Sequence, residues 1–117
     1  MGKLSTHVLD TAQGKPAANL AIDLYYLAGE SRQHLASFST NQDGRTDQPL
    51  LVAEDMVTGV FELVFHVGQY FDALGLDLPE PKFIEDVPVR FGIADTRANY
   101  HVPLLVSPFA YSTYRGS

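Results

Sequence analysis

Hydrophobic and polar residues alternate with a period of two through most of the chain. Leu20, Ile22, Leu24 and Tyr26 fall on one side of an extended segment, with Ala21, Asp23 and Tyr25 on the other. Phe61, Leu63, Phe65 and Val67 likewise oppose Glu62, Val64 and His66. Successive side chains of a strand point to opposite faces, so both segments read as half-buried β-strands. Residues 4 to 10, 34 to 40, 87 to 94, 99 to 107 and 111 to 116 are further strand candidates, with a short one near Leu50 to Ala53 completing eight. Turn chemistry separates them: Gln13-Gly14-Lys15-Pro16, Asn41-Gln42-Asp43-Gly44 and Asp95-Thr96-Arg97-Ala98. Gln69 to Gly75 departs from the alternation and predicts two helical turns closed by glycine, followed by a loop over Leu78 to Phe83. Many short strands and one short helix predict an all-β sandwich in a single domain, residues 1–117.

Composition narrows the function. A chain of 117 residues, 45% hydrophobic, suffices for one core. Charged residues make up 19%, below the usual quarter, and with six Tyr and seven Phe more of the surface than usual is open to contacts with other subunits, a slight lean toward an oligomer. A net charge of −6 with no basic stripe argues against nucleic acid as a partner, since binding to phosphate backbones rests on clustered Lys and Arg. Without cysteine, disulfides are excluded and a metal site would have to use His and carboxylates. No apolar run of signal-peptide or membrane-span length occurs, so no membrane partner is expected and a cytoplasmic location is.

Of the four histidines, His7 and His101 lie inside predicted strands, His7 sharing a face with Ser5 and Leu9, His101 with Pro103, Leu105 and Ser107. A strand histidine is more often structural than catalytic, and His34 and His66 read as surface or edge residues. Arg45 follows the Asp43-Gly44 turn; its planar fork suits an anionic or carbonyl-rich ligand, although a solvated turn arginine is the commoner case. The last residues, Tyr111-Ser112-Thr113-Tyr114-Arg115-Gly116-Ser117, are strand-like and aromatic throughout. Such a segment is expected to dock at a subunit interface or a ligand cavity, or else to form a simple edge strand.

Three segments together resemble the transthyretin-like family. His7-Val8-Leu9-Asp10-Thr11-Ala12-Gln13-Gly14-Lys15-Pro16-Ala17 is similar to its first signature, a strand ending in Leu-Asp before a Gly-x-Pro-Ala turn. The stretch from Tyr100 to Ser112 resembles its second, and Tyr114-Arg115-Gly116-Ser117 resembles the tetrapeptide of its 5-hydroxyisourate hydrolase branch. The resemblance implies two four-stranded antiparallel sheets with one short helix, and a homotetramer, a dimer of dimers, with active sites on a central channel. It implies catalytic roles for His7, Arg45 and His101, with Ser112, Tyr114, Arg115, Gly116 and Ser117 shaping the substrate pocket. It also implies no metal and no organic cofactor. Where the hormone carriers of the family have lysine and threonine, this chain has His7 and His101, two groups able to exchange protons near neutral pH. Asn99 departs from the histidine many of the hydrolases have there, and Ala110 from a commoner glycine or serine.

The implied reaction opens the six-membered ring of 5-hydroxyisourate to 2-oxo-4-hydroxy-4-carboxy-5-ureidoimidazoline, a step of urate degradation. Water adds to a ring carbonyl and a ring nitrogen leaves. Such a reaction needs one proton acceptor, one donor and a cation near the developing oxyanion, and His, His and Arg meet that need. Which histidine does which stays open at this level. Ser117 has no adjacent base to make it a nucleophile, so no acyl-enzyme is expected. Rival readings are a non-catalytic carrier of a small aromatic ligand, a metal-dependent hydrolase and a plain interaction module.

Overall fold

The computed structural model describes residues 2–117. Its elements, in chain order, are β1 (Lys3–Asp10), β2 (Lys15–Pro16), β3 (Ala21–Ala28), β4 (Ser31–Ser39), β5 (Leu51–Val52), a 3-10 turn (Ala53–Asp55), β6 (Gly59–Phe65), α1 (Val67–Ala73), β7 (Val87–Ile93), β8 (Asn99–Val106) and β9 (Tyr111–Thr113). They form two sheets. One has the order β2-β1-β8-β9 with β5 also pairing β1, and the other the order β4-β3-β6-β7. The expected sandwich is therefore present, with two differences from the expected pair of four-stranded antiparallel sheets.

First, the sheet built on β1 has five strands, because the short strand near residue 51 and the two-residue β2 share one edge of β1. Second, β1 and β8 pair in parallel, Lys3 beside Asn99 through to Asp10 beside Val106, while every other pair is antiparallel. Antiparallel neighbours can be joined by a tight hairpin; β1 and β8 are separated by the whole second sheet, so no turn dictates their relative direction.

The core lies between the sheets. On β1 the inward set is Leu4, Thr6, Val8 and Asp10, all buried, and on β8 it includes Tyr100, Val102, Leu104 and Val106. Facing them are Ile22 and Leu24 of β3 and Phe61, Leu63 and Phe65 of β6. Fully burying each such side chain contributes about 1.5–3 kcal/mol. Asp10 is also buried, at the end of β1. Its carboxylate accepts hydrogen bonds from the amides of Ala12 and Gln13, the Gln13 side chain and the Tyr70 hydroxyl, the last at 2.8 Å. Burial pushes its pKa up, but these bonds together outweigh burial and hold it below the ordinary 3.8.

Boundaries moved where a tertiary contact intervenes. The helix starts at Val67, two residues before the expected Gln69, because Gly68 donates its amide to the Glu85 carbonyl at 2.7 Å. A Cβ on Gly68 would stand 3.0 Å from that oxygen, so glycine permits the approach. The strand expected over 34–40 begins at Ser31, since Ala28 and Ser31 pair around a turn in which Gly29 has φ +61°. The last strand stops at Thr113 rather than at residue 116. Leu104 faces Thr113 and His101 faces Gly116, so the register is continuous across the gap. Pro103, which falls opposite Tyr114 in that register, has no amide proton to donate, and its carbonyl is taken by the Thr113 hydroxyl at 2.7 Å.

Candidate active site

The parallel register between β1 and β8 decides what meets on the outer face of the first sheet. Ser5 stands beside His101 and His7 beside Pro103; Ser5, His7 and His101 are half-buried between buried neighbours, while Pro103 is buried itself. His7 and His101 therefore project from one face, both half-buried, on adjacent strands of a rigid sheet. A slip of one residue would turn either imidazole into the core, and the apolar inward sets of both strands prevent it.

Arg45 reaches the same face from a turn. Asn41 nucleates it: its side-chain oxygen accepts the amides of Asp43 and Arg45, and its backbone amide donates to the Arg45 carbonyl at 2.7 Å. Gly44, at φ +74°, then accepts the Val8 amide on its carbonyl oxygen at 2.8 Å. A Cβ at Gly44 would lie 2.4 Å from the Val8 carbonyl and 3.3 Å from the His7 ring, so only glycine allows the turn to pack this closely on β1. Arg45 itself remains exposed.

His101 senses the other two groups. His101 is held below its ordinary 6.5, mainly by burial and further by the positive charges of Arg45 and His7. Its imidazole is consequently neutral near neutral pH. Its Nδ1 lies 2.8 Å from the Ser5 hydroxyl. Beside these groups is a small cavity of about 170 Å³, lined by Lys3, Ser5 and Arg45 together with Thr46, Asp47 and Gln48. A larger one of about 340 Å³ lies between β7 and the chain end, lined by Phe91, Tyr100 and Tyr114 among others. It touches none of His7, Arg45 and His101, and it opens along sheet edges.

Of the final residues, Gly116 meets the site directly: it bridges His101, donating its amide to the His101 carbonyl at 2.7 Å. Arg115 turns back on β8, its guanidinium 4.2 Å from the centre of the Tyr100 ring and donating to the Asn99 carbonyl at 3.0 Å. Ser112, Tyr114 and Ser117 are exposed, with Ser112 paired to Leu105 in β9. Ser5 was not among the residues expected at the site, although its place on the His7 face was readable; its nearness to His101 depends on the parallel pairing. Among the described residues no group of three or more His, Cys, Asp or Glu side chains is arranged to hold a metal ion.

A model of the HIUase/Transthyretin family matches residues 4–116. The chain belongs to this family. Among its relatives, the chain is 58% identical to 5-hydroxyisourate hydrolase 2 of Rhizobium meliloti (strain 1021), over 99% of this chain and 97% of that one. Two solved structures of the family fold are similar. (S)-allantoin synthase superposes with a TM-score of 0.93 at 42% identity, covering 99% of this chain but 44% of the other. Klebsiella pneumoniae 5-hydroxyisourate hydrolase superposes with a TM-score of 0.83 at 30% identity over 100% of both chains.

Proposed function

We propose that this family member hydrolyses 5-hydroxyisourate, a step of urate degradation, through His7, Arg45 and His101. The observation that carries the reading is the gathering of two imidazoles and one guanidinium on a single sheet face, in a chain so close to a protein named for this activity. His101, kept neutral, is ready to take a proton from water as it adds to the ring carbonyl. Arg45 binds the carbonyl oxygen and stabilises the negative charge that grows on it. The new bond joins carbonyl carbon to water oxygen; the carbon–nitrogen ring bond then breaks, and His7 delivers or directs the proton to the departing nitrogen. Ser112, Tyr114, Arg115, Gly116 and Ser117 border the substrate, and no metal or organic cofactor takes part.

The same reading includes a homotetramer with the site facing a shared channel. β7 and β9 close their sheets with unpaired edges, and Phe83, Phe109, Tyr111 and Tyr114 are exposed around them. Light scattering on the eluted protein is expected to give four times the 12.9 kDa protomer. A cytoplasmic location goes with this reading. Among the described residues, no helix is long and apolar enough to cross a membrane.

The direct test follows the ultraviolet decay of freshly generated 5-hydroxyisourate with and without the protein. Acceleration over the spontaneous rate is the expected result. Unchanged decay together with tight binding of an aromatic ligand would make the chain a carrier.

A further inference from the structure

We propose that Ser5 is a positioning residue for His101, holding the imidazole by Nδ1 and leaving Nε2 as the nitrogen offered to water, with Gly116 backing the opposite edge of the ring. The inference rests on the hydrolase reading for its functional meaning but not for its geometry.

The ring is gripped on two sides. On one, the Ser5 hydroxyl is 2.8 Å from Nδ1, and the two residues are direct neighbours in the parallel ladder. On the other, Gly116 sits so close that an added Cβ would stand 2.6 Å from Cδ2 and 3.2 Å from Cβ of His101. The free part of the ring is then Cε1 and Nε2, and among the described residues Nε2 has no hydrogen-bond partner. An imidazole has two staggered alternatives to any rotamer and, when neutral, two tautomers. The Ser5 contact fixes the rotamer, and with Nδ1–H donating to the Ser5 oxygen the neutral ring keeps Nε2 unprotonated as the base. Among the described residues no carboxylate is within salt-bridge distance of this histidine, in contrast to His34 and His66. A neutral hydroxyl therefore orients the ring without stabilising its protonated form, which preserves the base.

Nitrogen-15 NMR of histidine-labelled protein reads the tautomer, the pKa and the mobility of His101 directly, whether or not turnover is measured. In the native protein a single tautomer is expected for neutral His101. In Ser5→Ala the ring should become a mixture of tautomers, kcat should fall by about tenfold to 100-fold with little change in KM, and the acid limb of the pH–rate profile should move. Ser5→Thr, which keeps the hydroxyl, should restore the single tautomer and most of the rate. In Gly116→Ala the ring should be displaced and kcat reduced while the Nδ1 contact survives. Unchanged tautomer, pKa and mobility of His101 in Ser5→Ala would overturn the proposal. If the native protein showed no hydrolysis yet its NMR behaved as described, the positioning would stand and the hydrolase reading alone would fail.

Discussion

The outer faces of the two sheets each carry a pair of histidines, in opposite electrostatic settings. On the first sheet, His7 and His101 share their surroundings with Arg45, and protonation of His101 is opposed by burial and by both cationic neighbours. On the second, His34 and His66 both contact Asp23, His34 Nε2 at 2.8 Å from one carboxylate oxygen and His66 Nε2 at 2.7 Å from the other. His66 also lies 3.1 Å from Asp86 through Nδ1, and Ser37 donates to Asp23 at 2.5 Å. Burial alone would lower the pKa of His66, but the two carboxylates outweigh it and raise the pKa above 6.5, while the bonds from Ser37 and His66 draw Asp23 far below 3.8. One residue type thus serves two ends. Acid-partnered histidines clamp β3 to β4 and to the end of β6; His101, with no acid partner among the described residues, is held below its ordinary pKa and stays available.

The largest expected effect separates these roles. His101→Asn or His7→Asn should lower kcat/KM by about 10²–10⁴, the usual worth of positioned acid–base help, with little change in melting temperature. His34→Asn should leave turnover near the native value. Near-native turnover in both site variants would break the comparison.

Arg45 offers a finer division between charge and shape. Arg45→Ala should let the His101 pKa rise toward 6.5 and reduce turnover, whereas Arg45→Lys should keep the pKa low and still lose about tenfold or more, because an ammonium cannot reproduce the two parallel bonds of the guanidinium. Histidine NMR titrations beside steady-state kinetics check both parts. An unmoved pKa in Arg45→Ala would show that the two groups do not interact.

On the other face, Asp23→Asn replaces the carboxylate shared by two imidazoles and a hydroxyl with a neutral amide that keeps one acceptor oxygen. A loss of about 1–3 kcal/mol in urea unfolding is expected, with turnover retained. Stability equal to the native protein would remove the clamp.

The smallest effect is in the pH dependence of stability, and its sign differs between faces. His66, raised in the fold, contributes fully below pH 6.5 and less as pH climbs through its raised pKa. Asp23, depressed, contributes above pH 3.8 and loses that contribution as pH falls through its lower folded value. The clamp is therefore strongest between these ordinary values. His101 does the reverse of His66: its folded pKa lies below 6.5, so acidification through that region favours the unfolded chain. Between pH 7 and 5, Asp23→Asn should make stability fall more steeply than in the native protein, and His101→Asn less steeply. Parallel pH profiles for all three proteins would contradict the assignment.

The period-two alternation was sufficient for the strands of the core, for the sandwich and for the face each side chain takes, because burial of one face is a local pattern repeated along a strand. His7 and His101 could be placed on their faces for the same reason, and the Asn41 to Gly44 turn was legible from its residue types. What joined those residues was decided in three dimensions. The parallel pairing of β1 with β8 sets Ser5 beside His101 across 96 positions of chain. Packing of Gly44 on β1 brings Arg45 to His7, and the meeting of β3 with β6 makes Asp23 the partner of His66, a residue that alternation alone assigned to a plain surface. Glu62, expected to face solvent, is 6% exposed because Arg32 of β4, reaching across β3, and Arg90 of β7 close over it. Periodicity records which side of its own strand a residue occupies; the charge and burial that tune an imidazole come from neighbouring strands, and strand pairing over long separations leaves no mark in the local sequence.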